Sequence, residues 1–139
     1  MQQRQRQTQA FPLVLLLIMS VGCGGQSGPE RASLKGTVSL DGEPMGGGVV
    51  TFQSPKGAWG TTIQKGEFAM SGDEGLPVGD YTIRFNWLKP TGKKIIEPDS
   101  GQETDETLEA IPVKYNLQTT EKATIKSGNN TVKFDLLTK

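Results

Sequence analysis

The chain has 139 residues, with 15 Lys+Arg against 15 Asp+Glu, no histidine and 1 cysteine. That length makes one small domain. The missing histidine removes the commonest general base and metal ligand, and with it the Ser-His-Asp and Cys-His nucleophile systems. The single cysteine excludes an internal disulfide, and the charge balance leaves no basic footprint for nucleic acid. With 18 glycines and 8 prolines the composition favours short strands joined by turns over helices.

The first ten residues are polar, with Arg4 and Arg6 as their only charges. Phe11 to Met19 is apolar except for Pro12, and the small residues Ser20, Val21 and Gly22 lead to Cys23. This order of polar head, apolar stretch and small-residue triplet is that of an export signal. The apolar stretch is about half of the ~20 residues a helix needs to cross a bilayer, so a permanent membrane span is not expected. Ser20-Val21-Gly22-Cys23 resembles a bacterial lipobox, with Ser20 where that pattern usually carries leucine. The resemblance implies cleavage before Cys23, acylation of its thiol with palmitate-type chains, and attachment of the protein to a membrane. The organisation expected is then a signal peptide over 1–22, a flexible tether over 23–32 and a folded domain over 33–139. Removing Arg4 and Arg6 leaves 13 basic against 15 acidic residues. Gly24, Gly25, Ser27, Gly28 and Pro29 give the tether its flexibility. Gly24 is not the aspartate that holds many lipoproteins at the inner membrane. By the same resemblance the location is the cell envelope, at the outer membrane or facing the periplasm.

From Ser33 the pattern has period two. Leu34, Gly36, Val38 and Leu40 alternate with polar residues, and Asp41-Gly42-Glu43-Pro44 is a turn signal. Gly46-Gly47-Gly48 permits a bulge or a close backbone approach before a strand at Val49–Gln53. Trp59–Ile63 and Glu67–Met70 flank Gln64-Lys65-Gly66 and read as a tight hairpin. Tyr81, Ile83, Phe85 and Trp87 share one face of a strand, opposite Thr82, Arg84 and Asn86. Ala123–Ile125 and Thr131–Leu136 flank Ser127-Gly128-Asn129-Asn130, with Val132, Phe134 and Leu136 on one face. The stretch 88–113 is polar and acidic and reads as a long loop. About seven strands at roughly 8–12-residue spacing predict an all-β, antiparallel Greek-key sandwich, with a small barrel as the alternative.

Gly36-x-Val38, Asp41-Gly42-x-Pro44, Gly47/Gly48, Val49-Val50-x-Phe52, Gly66-x-Phe68 and Leu76-Pro77-x-Gly79-x-Tyr81-x-Ile83 resemble the opening of carboxypeptidase-regulatory-like modules. These are transthyretin-like, or prealbumin-like, β-sandwiches. Ile111-Pro112-x-Lys114-Tyr115 with the closing hairpin is similar to short lipoproteins of planctomycete-type bacteria that carry such a module. The resemblance implies a non-catalytic unit for structure, adhesion or protein interaction. Independently of it, Pro77 and Gly79 set the approach to a strand whose first core residue, Tyr81, brings its hydroxyl to the sheet end. A backbone acceptor is expected there, as in a tyrosine corner.

Few side chains invite a chemical role. Cys23 is the lipidation candidate. Trp59 and Trp87 are candidates for ligand contact, with core or sheet-edge packing as the simpler expectation. Glu97, Asp99, Glu103, Asp105, Glu106 and Glu109 lack the alternating carboxylates and closing glutamate of a calcium loop. A solvated loop is expected of them, with a weak metal site as the alternative. Lys93-Lys94 is too short a run for a polybasic surface, and Gly46–Gly48 lacks the Lys-Ser/Thr of a phosphate loop. No catalytic residue, metal site or cofactor is expected. The function expected is that of a membrane-anchored, non-enzymatic envelope lipoprotein with an unassigned protein or glycan partner. A carbohydrate- or peptide-binding sandwich is the alternative, and a hydrolytic accessory enzyme comes last.

Overall fold

The computed structural model describes residues 28–139. The signal segment, Cys23 and the first part of the tether lie outside the described residues. The rest is all-β: β1 (Arg31–Leu40), β2 (Glu43–Pro44), β3 (Val49–Ser54), β4 (Gly57–Thr62), β5 (Glu67–Met70), β6 (Leu76–Pro77), β7 (Gly79–Asn86), β8 (Leu88–Ile96), β9 (Glu103–Glu109), β10 (Lys122–Ile125) and β11 (Asn129–Leu136). Two single 3-10 turns, Gly72–Glu74 and Val113–Tyr115, interrupt them.

One sheet is built on β1. β11 runs parallel along one side of it, from Ser33↔Asn129 to Leu40↔Leu136, while β5 and β2 pair antiparallel on the other. β6 joins the first two residues of β1, Arg31↔Pro77 and Ala32↔Leu76. The second sheet is antiparallel throughout, in the order β10-β7-β3-β4. The two sheets face each other and stay open at their edges, which makes a sandwich rather than a barrel. Period-two alternation supplies the core. Leu34 and Val38 of β1 and Phe134 and Leu136 of β11 meet Val50 and Phe52 of β3, Tyr81, Ile83 and Phe85 of β7 and Ile125 of β10, all buried. Rings from opposite sheets touch: Phe52 meets Phe68 at 6.0 Å between centroids, and Phe85 meets Phe134 edge-on at 5.1 Å.

The expected motifs take on physical content. Asp41 and Gly42 both have positive φ (54° and 86°), the two-residue turn that matches strand twist and joins β1 to β2. Gly36 stands directly opposite Phe68 in the β1–β5 ladder, and the Phe68 ring fills the space where a β-carbon at 36 would lie. Glycine is required there so that an aromatic ring can seal the sheet over it. The Tyr81 hydroxyl donates to the Pro77 carbonyl at 2.6 Å, and Gly79 ahead of it has φ 153°. The backbone acceptor expected for Tyr81 is therefore present.

Four expectations need correction. The stretch 88–113 is not a loop: β8 and β9 form an antiparallel ribbon, with a register shift between Pro90 and Lys94. Its strands have no apolar period because both of its faces meet solvent. The described residues hold eleven strand segments rather than about seven, because that ribbon and the two-residue strands β2 and β6 add to the count. The turn at Gln64–Gly66 forms, closed by a Gln64↔Glu67 bridge, but neither expected hairpin does: β4 and β5 enter different sheets, and so do β10 and β11. Finally, β1 starts at Arg31, two residues inside the expected tether, because Ala32 is buried against the core.

Candidate functional site

The sandwich has two poles. β1 begins beside Pro77, and β7 begins two residues later at Gly79, so the tether and the starts of both central strands lie at one pole. β1 ends beside Glu43, where the Gly46–Gly48 run and Trp87 meet, so the ribbon leaves from the opposite pole. We call these the near and far poles, counted from the tether.

The two tryptophans are not brought together. Trp59 of β4 is half-buried near the near pole, edge-on against Tyr81 with ring centroids 5.8 Å apart. It borders an open groove of about 570 Å³ shared with Arg31, Thr61, Thr62, Met70, Asp73 and Glu74. Arg31 is committed there, donating from Nη1 to the Gly75 carbonyl at 2.8 Å. Trp59 and Met70 are its apolar lining and the other side chains are polar or charged, so the groove offers one aromatic face beside hydrogen-bonding groups and stays open to solvent.

Trp87 lies at the far pole, also half-buried. The glycine run is its shelf. β-carbons at Gly46 and Gly47 would stand 3.4 and 3.2 Å from the indole, and one at Gly48 (φ 113°) would collide with the Asn86 carbonyl. The close backbone approach anticipated for this run is thus an approach to an indole. Lys89 sets its ammonium over the same indole, 3.7 Å from the ring centroid. An exposed cation–π contact of this kind is worth about 0.5–1 kcal/mol. A sugar stacking on that ring face would have to displace the lysine.

The residue that organises the far pole is Glu109, the last of β9. Its Oε1 accepts from the amides of Trp87 (2.7 Å) and Ile111 (3.0 Å), and its Oε2 from the carboxamides of Asn86 (3.0 Å) and the buried Asn116 (3.3 Å). Partial burial pushes its carboxyl up, but the Trp87, Asn86 and Ile111 donors outweigh that and hold it below the usual carboxylate range. Glu109 therefore bolts the base of the ribbon to the end of β7 and to the 3-10 turn at Val113–Tyr115. Periodicity hid this role, since the residue reads as one more charge in an acidic run. The signal that could have revealed the ribbon is turn chemistry. Pro98-Asp99-Ser100-Gly101 closes the hairpin, with Gly101 at φ 67° and its amide donating to the Glu97 carbonyl at 2.8 Å.

The remaining acidic residues disperse along the ribbon. Asp105 pairs with Lys94 at 2.7 Å, Glu106 accepts from the Thr91 hydroxyl at 2.5 Å, and Glu97 accepts from Ser100 at 3.4 Å. Among the described residues no three acidic side chains converge as metal ligands would. No helix among them is long and apolar enough to cross a membrane. Cys23 lies outside the described residues. No protein-family model, curated protein or solved structure matches this chain.

Proposed function

We propose that the chain is an exported lipoprotein, cut before Cys23 and held at a membrane of the cell envelope by acyl chains on that cysteine. Its β-sandwich then serves as a non-enzymatic unit of structure, adhesion or protein interaction. The observation that carries this reading is the sole cysteine standing directly after Ser20-Val21-Gly22 at the end of an apolar stretch. The motif resemblance to carboxypeptidase-regulatory-like modules supports the same reading. So does the position of β1, whose first residue, Arg31, follows Cys23 by 8 residues. An extended chain of that length reaches at most roughly 28 Å, so the near pole would face the lipid and the ribbon would point away from it.

Binding of a carbohydrate or peptide is the second reading, and the groove beside Trp59 is what favours it. It ranks second because Trp59 is half-covered by Tyr81 and the Trp87 ring already holds Lys89. The deciding experiment is labelling with radioactive palmitate in a bacterium with a lipoprotein pathway. The wild-type chain takes up label and Cys23→Ala does not. Equal labelling of both, or of neither, overturns the anchoring.

A further inference from the structure

Beyond its base the β8–β9 ribbon joins neither sheet of the sandwich: among the described residues each of its strands has the other as its only ladder partner. A two-stranded ribbon in water is marginal, and a third strand is the usual source of independent stability. The two outer edges carry opposite charge. β8 holds Lys89, Lys93 and Lys94 and no acidic residue, whereas β9 holds Glu103, Asp105, Glu106 and Glu109 and no basic one. Within the ribbon only Lys94–Asp105 forms an ion pair, and both side chains remain more than half exposed, at 57% and 56%. Ile95 and Ile96 near the tip are exposed, as is Leu108 on β9.

We propose that the ribbon is a self-association arm, in which the basic edge of β8 adds to the acidic edge of β9 in a second copy of the same chain. The polarity fits one geometry. When two arms point the same way, β8 of one copy runs antiparallel to β9 of its neighbour. The two ribbons then merge into one four-stranded antiparallel sheet. Such a head-to-tail contact leaves an open edge at each end, so further copies can add. Pro90 has no N–H to offer, and the register shift ends at Lys94. The new ladder is therefore confined to the distal half, Lys93–Ile96 against Glu103–Glu106. Ile95, Ile96 and their neighbours' apolar atoms lose water there.

The test uses the full chain made with two different tags in one cell and captured through one tag. Wild type captures wild type, and raising the salt to 1 M weakens the capture. Over the distal half, K93E/K94E makes both edges net acidic and E103K/D105K makes both net basic, so neither variant captures itself. Together they capture each other, which also shows that both are folded. The Cys23→Ala chain is captured as wild type is, so failure of anchoring and failure of association are read separately. Failure of wild type to capture itself overturns the proposal, as do charge variants that capture themselves unimpaired or a mixed pair that stays apart.

Discussion

At the scale of single residues, polar groups that a hydrophobicity count ignores fasten the turns at the ends of this sandwich. The Tyr81 hydroxyl is one. Its ring is 3% exposed, and its oxygen donates to Pro77 at 2.6 Å across the turn that leads into β7. Burial pushes its ionisation up, so the group stays a donor through the physiological range. Tyr81→Phe keeps the ring and leaves the Pro77 carbonyl without its partner. We expect a loss of roughly 1–3 kcal/mol in urea unfolding with an unchanged m-value, and a neutral result would remove the hydroxyl from the account. Asp41 is another such group. Both of its oxygens accept from Thr138, backbone amide and hydroxyl, which lowers its carboxyl and ties the chain beyond β11 to the β1–β2 turn.

At the scale of elements, the ribbon depends on Glu109. Its folded-state ionisation lies below the ordinary glutamate value of 4.5, so its contribution is complete above that pH and is lost as pH falls through the folded value. Glu109→Gln halves the acceptors and sets an amide NH2 against those of Asn86 and Asn116. The amides of Leu88–Glu109 should then exchange with solvent faster than in wild type at pH 7, while those of β1 and β7 hold. The stability gap between the two proteins should narrow as pH falls below about 4.5. A gap that does not change with pH would deny the carboxylate this role. The same element shows how much was legible beforehand. Strands that bury one face, such as β1, β7 and β11, betray themselves by alternation, since every second residue must be apolar. β8 and β9 bury neither face, so no period marks them and only their turn could. The parallel pairing of β1 with β11 was equally hidden, because alternation fixes which face is buried and not which strand lies alongside. Of the candidate residues, Trp59 on β4 and Trp87 in the link between β7 and β8 are both half-buried against the core, the simpler of the two expectations for them. Glu109 and Lys89 were missed because their partners come from elements whose neighbourhood only the fold creates.

At the scale of the molecule, the first and last strands close the sheet built on β1. Phe134 and Leu136 deliver two buried side chains that no other strand can replace. A chain ending at Gly128 lacks β11, leaves one edge of β1 bare and opens the core over Phe85. It should lose its cooperative unfolding transition and its near-ultraviolet circular dichroism while keeping part of its strand content. Retention of a sharp transition would show that β11 is an accessory. The closure also sets an order in time. Contacts between residues so far apart in the chain form late and slowly, because the long loop between them must be closed before they return any stabilisation. Ser33 cannot meet Asn129 until all the residues between them are available. A chain drawn N-terminus first through a narrow channel would therefore stay unfolded, and so movable, until its last strand had cleared the passage.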